Sequence, residues 1–165
     1  MTDVIAAVAA GGITDIVVWN NAEREDLRAY GRYAAIAEAK HDLIYVQDDD
    51  ELVRDIPALV QAWRPGVVVV NEGHPGSRDV PWVGWGAVFH RDAPSPFHDR
   101  YLERWPRDEL FLDFCDPVFT LQADTVWAHA RFEELPWTYA SNRTSIQPGY
   151  WEQRRPEVLQ RIRAL

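Results

Sequence analysis

The chain has little with which to cross-link or anchor itself. Cys115 is its only cysteine among 165 residues, so no internal disulfide framework can form, and a reducing, cytoplasmic compartment is expected. No apolar run approaches the ~20 residues that a membrane span needs. No basic segment followed by an apolar secretory core opens the chain. There is no internal repeat and no low-complexity tract. Lysine is nearly absent: of 17 basic residues only Lys40 is lysine, and 26 acidic residues outweigh them to give a net charge of −9. A chain this acidic is a poor non-specific binder of nucleic acid, which is therefore not expected as a partner. It also repels anionic ligands at long range, so such a ligand needs local help from a metal, placed arginines or a helix N-terminus. The arginine bias suits bidentate contacts to phosphate or carboxylate, although a GC-rich coding sequence gives the same bias.

What is present is an ordinary globular composition, 47% hydrophobic and 26% charged, in a length that fits one domain with a sizeable core. The eight tryptophans serve either as core and rim packing or as platforms that stack on sugar rings or bases. The segment TDVIAAVAAGG reads as a helix, capped by Thr2 or Asp3 and ended by Gly11-Gly12. ITDIVVWNN reads as a buried strand, AEREDLRAYGRYAAIAEAK as a helix with a possible break at Gly31, and DLIYV (42–46) as the next strand. DELVRDIPALVQAW places Leu52, Ile56, Leu59, Val60 and Trp63 at helical spacing. GVVVV (66–70) is another buried strand. VGWGAVF (83–89) reads as a strand in which Gly84 and Gly86 allow close backbone approach. The alternation of strand and helix predicts an α/β domain: a mostly parallel sheet flanked by helices. Residues up to about 70 would form a nucleotide-type half, and about 71–165 a half that shapes the partner site, of one domain spanning 1–165.

In such a sheet ligands sit outside the carboxyl ends of the strands. Asp48, Asp49 and Asp50 follow one such end, and Asn20 and Asn21 follow another. Three adjacent carboxylates become tolerable when a divalent cation neutralises them, and hard oxygen donors suit magnesium or manganese. Alternatively, Asp50 caps the following helix and its neighbours are solvated, although a cap needs only one aspartate. No second cluster of His and Asp accompanies the triple aspartate, as a metal-dependent phosphohydrolase would require. His129, in TVWAHARF, reads as helical. His74 and His90 each follow a strand and could touch an acceptor. Cys115 has no nearby base and reads as a small buried hydrophobe. The polar stretch YASNRTSIQPGYW carries Arg143 and Ser145, which could close over phosphates or form an ordinary surface loop.

DLIYVQDDDELV resembles the Asp-x-Asp segment of glycosyltransferases of the GT-A fold. With VVWNN before it, the pattern looks most like the exostosin-like branch and related bacterial and phage enzymes. YGRYAAIAEAKHDLIYVQDDD extends the likeness, VGWGAVFHRD is similar to the strand that borders the acceptor site, and LDFCDPVFTLQAD is similar to a segment with a cysteine and an acidic residue before a helix. The resemblance covers roughly residues 13–125. It implies transfer of a sugar from a nucleotide-diphosphate sugar donor to a glycan or other hydroxyl acceptor, with Mn or Mg bridging the diphosphate.

Carried onto this sequence, the resemblance implies that Asp50, with Asp49 alongside, is the metal carboxylate, and that Asp48 lies near the ribose and the metal. Asn20 or Asn21 would face the base and Arg32 the phosphates; Arg143 and Trp85 are further substrate-binding candidates. Asp116 would be the carboxylate near the anomeric centre. Pro117 stands where the pattern has a second acid, so Asp113 would have to substitute if that second acid is the catalytic one. Pro117 also reads as a first helical position with Asp116 as its cap; cap and base are compatible roles. The opening MTDVIAAVAAGG resembles the helix after the first strand of this fold. The first strand is therefore expected upstream of Met1, with a remnant of the fold or a gap-filling partner as the alternatives. A remnant would bind nucleotide-sugar or glycan without catalysis.

Overall fold

The computed structural model describes residues 2–72, 80–130, 132–134 and 149–165. The alanine-rich opening forms helix α1 (Thr2–Ala10). Gly11 and Gly12 end it, the latter at φ 92°, a left-handed conformation that glycine adopts without a Cβ penalty. Strand β1 (Leu43–Val46) follows a run of short helical turns over residues 28–38. Those turns include the short helix α2 (Gly31–Ala34), and after β1 the chain forms β2 (Glu51–Val53), helix α3 (Ile56–Ala62) and β3 (Val68–Asn71). A 3-10 turn at Val83–Trp85 leads into β4 (Ala87–His90). Helices α4 (Ser95–Leu102) and α5 (Glu109–Thr120), strands β5 (Thr125–Ala128) and β6 (Phe132–Glu134), and helix α6 (Tyr150–Arg163) complete the order.

The main sheet runs β1-β4-β3-β5, and β2 pairs with β6 in a separate two-stranded ladder. β4 is antiparallel to both β1 and β3, while β3 and β5 are parallel. The expectation of a mostly parallel sheet is therefore corrected: only one of the three neighbouring pairs is parallel. The strand–helix–strand path from β1 through α3 to β3 does leave those two strands pointing the same way. The reversed strand β4 then slots between them. It enters through a tight turn closed by Gly86 at φ 104°, a conformation that strains other residues. Ala87, Val88 and Phe89 have no exposed surface, so β4 is the centre of the sheet.

Side chains alternate across the sheet with a period of two. Val68 and Val70 face one core with Phe89, Phe111, Phe114 and Phe119 of the α4–α5–α6 side. Val67, Val69 and Val88 face the other with Val4, Val8, Ile56 and Leu59. Helices thus cover both faces, the layering expected of an α/β domain.

Several local readings change. Residues 13–20 form no strand. Their apolar run lacks a ladder partner among the described residues, and strand structure requires one. Glu51–Val53 leaves the expected helix to pair with β6, and the helix begins only at Ile56 with a proline in its first turn. Residues 83–85 are a 3-10 turn rather than strand. His129 follows a strand, β5, and does not lie on a helix. Asp116 is not an N-cap. It lies inside α5, whose cap is Asp108, accepting from the Phe111 amide at 3.0 Å. Pro117 sits within that helix and cannot donate to the carbonyl four residues earlier; the backbone turns non-helical at Phe114 (φ −116°, ψ 23°).

Candidate functional site

β1 ends at Val46, and the chain turns at Asp49-Asp50 before entering β2. The Asp48 amide donates to the Gly84 carbonyl at 2.7 Å, and the Gln47 amide group donates to the Glu51 carbonyl at 2.8 Å. These bonds fix the acidic turn against the loop that precedes β4. Gly84 is required by the approach: a Cβ there would overlap the Asp48 carboxylate and stand 2.9 Å from Arg32 Nη1. The sequence reading of Gly84 as a close-approach residue holds.

Arg32 reaches this rim from α2. Its Nη2 lies 2.7 Å from Asp48 Oδ1 and 2.9 Å from Oδ2. Its Nη1 donates to Asp116 Oδ2 at 2.7 Å. Asp116 Oδ2 also accepts from the Val83 amide at 2.9 Å, and Oδ1 accepts from the Tyr33 hydroxyl at 2.7 Å. Asp116 is only 2% exposed; its charge is tolerable in that setting because three donors converge on it. Burial works against the Arg32 charge, but Asp116 and Asp48 outweigh it and hold the guanidinium firmly protonated. Burial and the neighbouring Asp116 push the Tyr33 hydroxyl and the Cys115 thiol well up, so Cys115 is an inert, buried thiol, as expected.

A second ion-paired group lies one turn earlier on α5. Asp113 Oδ2 accepts from Arg28 Nη1 at 2.6 Å and from the Tyr150 hydroxyl at 2.7 Å, and Arg28 Nη2 reaches Glu109 at 2.5 Å. Burial raises the Asp113 carboxyl despite the Tyr150 and Arg28 donors. Arg28 comes from the 3-10 turn before α2 and Arg32 from α2 itself, while Asp113 and Asp116 flank the non-helical Phe114 of α5.

The acidic turn itself is electrostatically crowded. Burial, then Arg32 in opposition, then Asp116 and Asp49, set the Asp48 carboxyl above its ordinary value. Its side chain still keeps 37% of its accessible surface, so one side remains open to a ligand. Asp50 is pushed up to about 6 by burial and by Asp48. Asp49 is exposed. Among the described residues no group of three or more His, Cys, Asp or Glu side chains is arranged to hold a metal. Among the described residues a closed protein cage is thus not formed. The carboxylates of Asp48, Asp49 and Asp50 are hard oxygen donors, the type that magnesium takes together with waters and substrate phosphates.

The remaining candidates divide. Asn21 is engaged within its own loop: Oδ1 accepts from Trp19 Nε1 and the Leu27 amide, and Nδ2 donates to the Arg28 carbonyl. Asn20 Oδ1 accepts from the Ala22 amide at 3.0 Å. Trp85 lies on the turn beside Gly84, half-buried, with its ring 6.5 Å from Trp82, which in turn meets Trp151 edge-on at 5.3 Å. Arg143, Ser145 and His74 lie outside the described residues. His90 lies 3.6 Å from Asp92, just past the end of β4. His129 lies 3.8 Å from Glu72.

Sequence reasoning missed Tyr33, Arg28, Tyr150 and Asn71. Asn71 has no exposed surface. Its Nδ2 donates to the Trp85 carbonyl at 3.2 Å and its Oδ1 accepts from the Ala130 amide at 2.8 Å. An asparagine closing the wholly apolar run Val67–Val70 was the available sign. The chain matches no protein-family model, no curated protein and no solved structure.

Proposed function

We propose that the chain is a metal-dependent glycosyltransferase of the GT-A type, moving a sugar from a nucleotide-diphosphate sugar to a glycan or other hydroxyl acceptor. The observation that carries this reading is the meeting, at the carboxyl end of β1, of the Asp48–Asp50 turn with Arg32 and the Gly84 backbone. That is the rim where α/β sheets bind ligands. A divalent cation there supplies charge neutralisation for the leaving diphosphate. Asp49 and Asp50, with the open side of Asp48, would hold it. Arg32 offers planar, bidentate donors to phosphate oxygens whose charge grows as the sugar departs. Asp116 holds Arg32 in place and so acts as a positioning residue. The half-buried Trp85 offers an apolar ring for a sugar face.

One observation favours a second reading, a non-catalytic nucleotide-sugar or glycan binder. Both carboxylates expected near the anomeric centre, Asp113 and Asp116, are buried and engaged in ion pairs. Thermal shift with manganese, with and without uridine or guanosine diphosphate, tests the common core of the two readings. Stabilisation is expected when both are present and is expected to vanish in Asp50→Ala; an unchanged response in that variant refutes the metal assignment. Release of sugar from a labelled nucleotide-sugar then separates the enzyme from the binder.

A further inference from the structure

Attack by an acceptor hydroxyl needs a group to take its proton, and the two acids expected for that work, Asp113 and Asp116, are buried and held in ion pairs. A base must come from elsewhere on the same rim, and strand register shows where the rim runs. Val46 pairs with Ala87, Ala87 with Val70, and Val70 with Trp127. These four residues form one row across the main sheet, and β1, β3 and β5 leave it in the same direction. Asp48, Glu72 and His129 each stand two residues beyond that row. With a period of two they keep to the face of Val46 and Val70, which is the face packed against α5.

The ladder between β3 and β5 continues past the strand ends. The Glu72 amide donates to the Ala128 carbonyl at 2.7 Å, and the Ala130 amide donates to Asn71 Oδ1 at 2.8 Å. His129 is thus bracketed by backbone bonds on both sides and stands beside Glu72 as its cross-strand neighbour. Its Nδ1 lies 3.8 Å from Glu72 Oε2, and its side chain keeps 75% of its accessible surface, so a ligand can reach the other ring nitrogen. A carboxylate beside Nδ1 orients an imidazole and stabilises the cation formed when Nε2 takes a proton. Trp127, two residues earlier on the same face and exposed, offers an apolar ring to an acceptor.

We infer that His129 is the general base for the acceptor hydroxyl and that Glu72 is its positioning residue. The inference rests on the glycosyltransferase reading above. Among the described residues β1 and β5 are the outer strands of the main sheet, three strand spacings apart, or about 14 Å at ~4.8 Å each. A diphosphate at Arg32, a sugar ring and one acceptor oxygen fill a span of that size. His129 Nε2 takes the hydroxyl proton as the acceptor oxygen bonds to the anomeric carbon. The bond from that carbon to the diphosphate oxygen breaks, and its electron pair leaves with the nucleoside diphosphate. Base and leaving group stand at opposite ends of the row, so the displacement inverts the anomeric carbon.

The test uses the full chain with labelled uridine- and guanosine-diphosphate sugars, Mn2+, and water as the acceptor. The wild type is expected to release sugar whose first-formed anomer, read by proton NMR, is inverted. An exposed ion pair adds little to stability, so His129→Ala is expected to keep its melting midpoint within about 2 °C of the wild type. Its kcat for release is expected to fall about a hundredfold or more, and added free imidazole is expected to restore about tenfold of that loss. Glu72→Gln keeps an acceptor for Nδ1 but not the charge. It is expected to lower kcat about tenfold with KM unchanged within about twofold. Release by His129→Ala within about threefold of the wild type, a loss that imidazole does not restore, or a retained anomeric configuration overturns the base assignment and leaves the transferase reading standing. A wild type that releases no sugar but is stabilised by Mn2+ and nucleoside diphosphate together overturns it in favour of the non-catalytic binder. A wild type that does neither overturns both.

Discussion

Removing the Asp116 carboxylate tests whether this residue holds the site together. Asp116→Ala takes away the acceptor for Arg32 Nη1, the Tyr33 hydroxyl and the Val83 amide in one step. Removing one partner of a buried ion pair costs about 3–5 kcal/mol. Arg32 retains Asp48 as a second partner, which puts the ionic part near about 3 kcal/mol. Val83 has no exposed surface, and its stranded amide adds about 1 kcal/mol or more. The sum is about 4 kcal/mol, which for a domain of this size lowers the melting midpoint by about 8–16 °C at 2–4 °C per kcal/mol. Differential scanning calorimetry of the variant beside the wild type measures it directly. Asp49→Ala, at an exposed position of the same turn, is the control and should change stability by less than about 0.5 kcal/mol. An Asp116→Ala protein within about 1 kcal/mol of the wild type would refute the reasoning. It would mean that the carboxylate is kept for chemistry and not for structure.

Two further outcomes follow from the same geometry. His98 is buried against Tyr33, Phe111 and Phe119, with Nε2 3.0 Å from the Cys115 carbonyl, and burial holds its pKa below the ordinary 6.5. As the pH falls through that value the unfolded chain takes a proton that the folded chain refuses, so stability is lost on acidification. Unfolding by urea at pH 7.5 and pH 5.5 should show that loss in the wild type and a smaller one in His98→Gln. In Gly84→Ala the new methyl group must displace Asp48 from Arg32 or push the Val83–Trp85 turn outward. Overpacking of this kind costs about 1–3 kcal/mol. The variant should also lose the joint manganese and nucleotide stabilisation, and a wild-type response in it would remove Gly84 from the site.

The amino-acid sequence determined the parts whose cause is local. The alanine-rich opening gives α1, the apolar runs at 43–46 and 67–70 give β1 and β3, and Gly12 and Gly86 stand where the backbone needs positive φ. Gly84 was legible as a point of close approach, although its neighbours Asp48 and Arg32 lie far off in the chain, and the triple aspartate was legible as a polar turn after a strand because that depends on near neighbours. Only the tertiary structure decided the rest. The reversed entry of β4 between β1 and β3 turned an expected parallel sheet into a mixed one, because strand order depends on which edges meet and not on the pattern within each strand. The run Ile16–Trp19 has strand composition but no ladder to join among the described residues, and Glu51–Val53 has helical spacing but finds β6. Asp113 and Asp116 read as free acids until α2 and the turns around it brought Arg28 and Arg32 onto them across more than eighty residues. Charge pairing at that separation is decided by the packed chain, since nothing in the local sequence fixes which acid an arginine will reach.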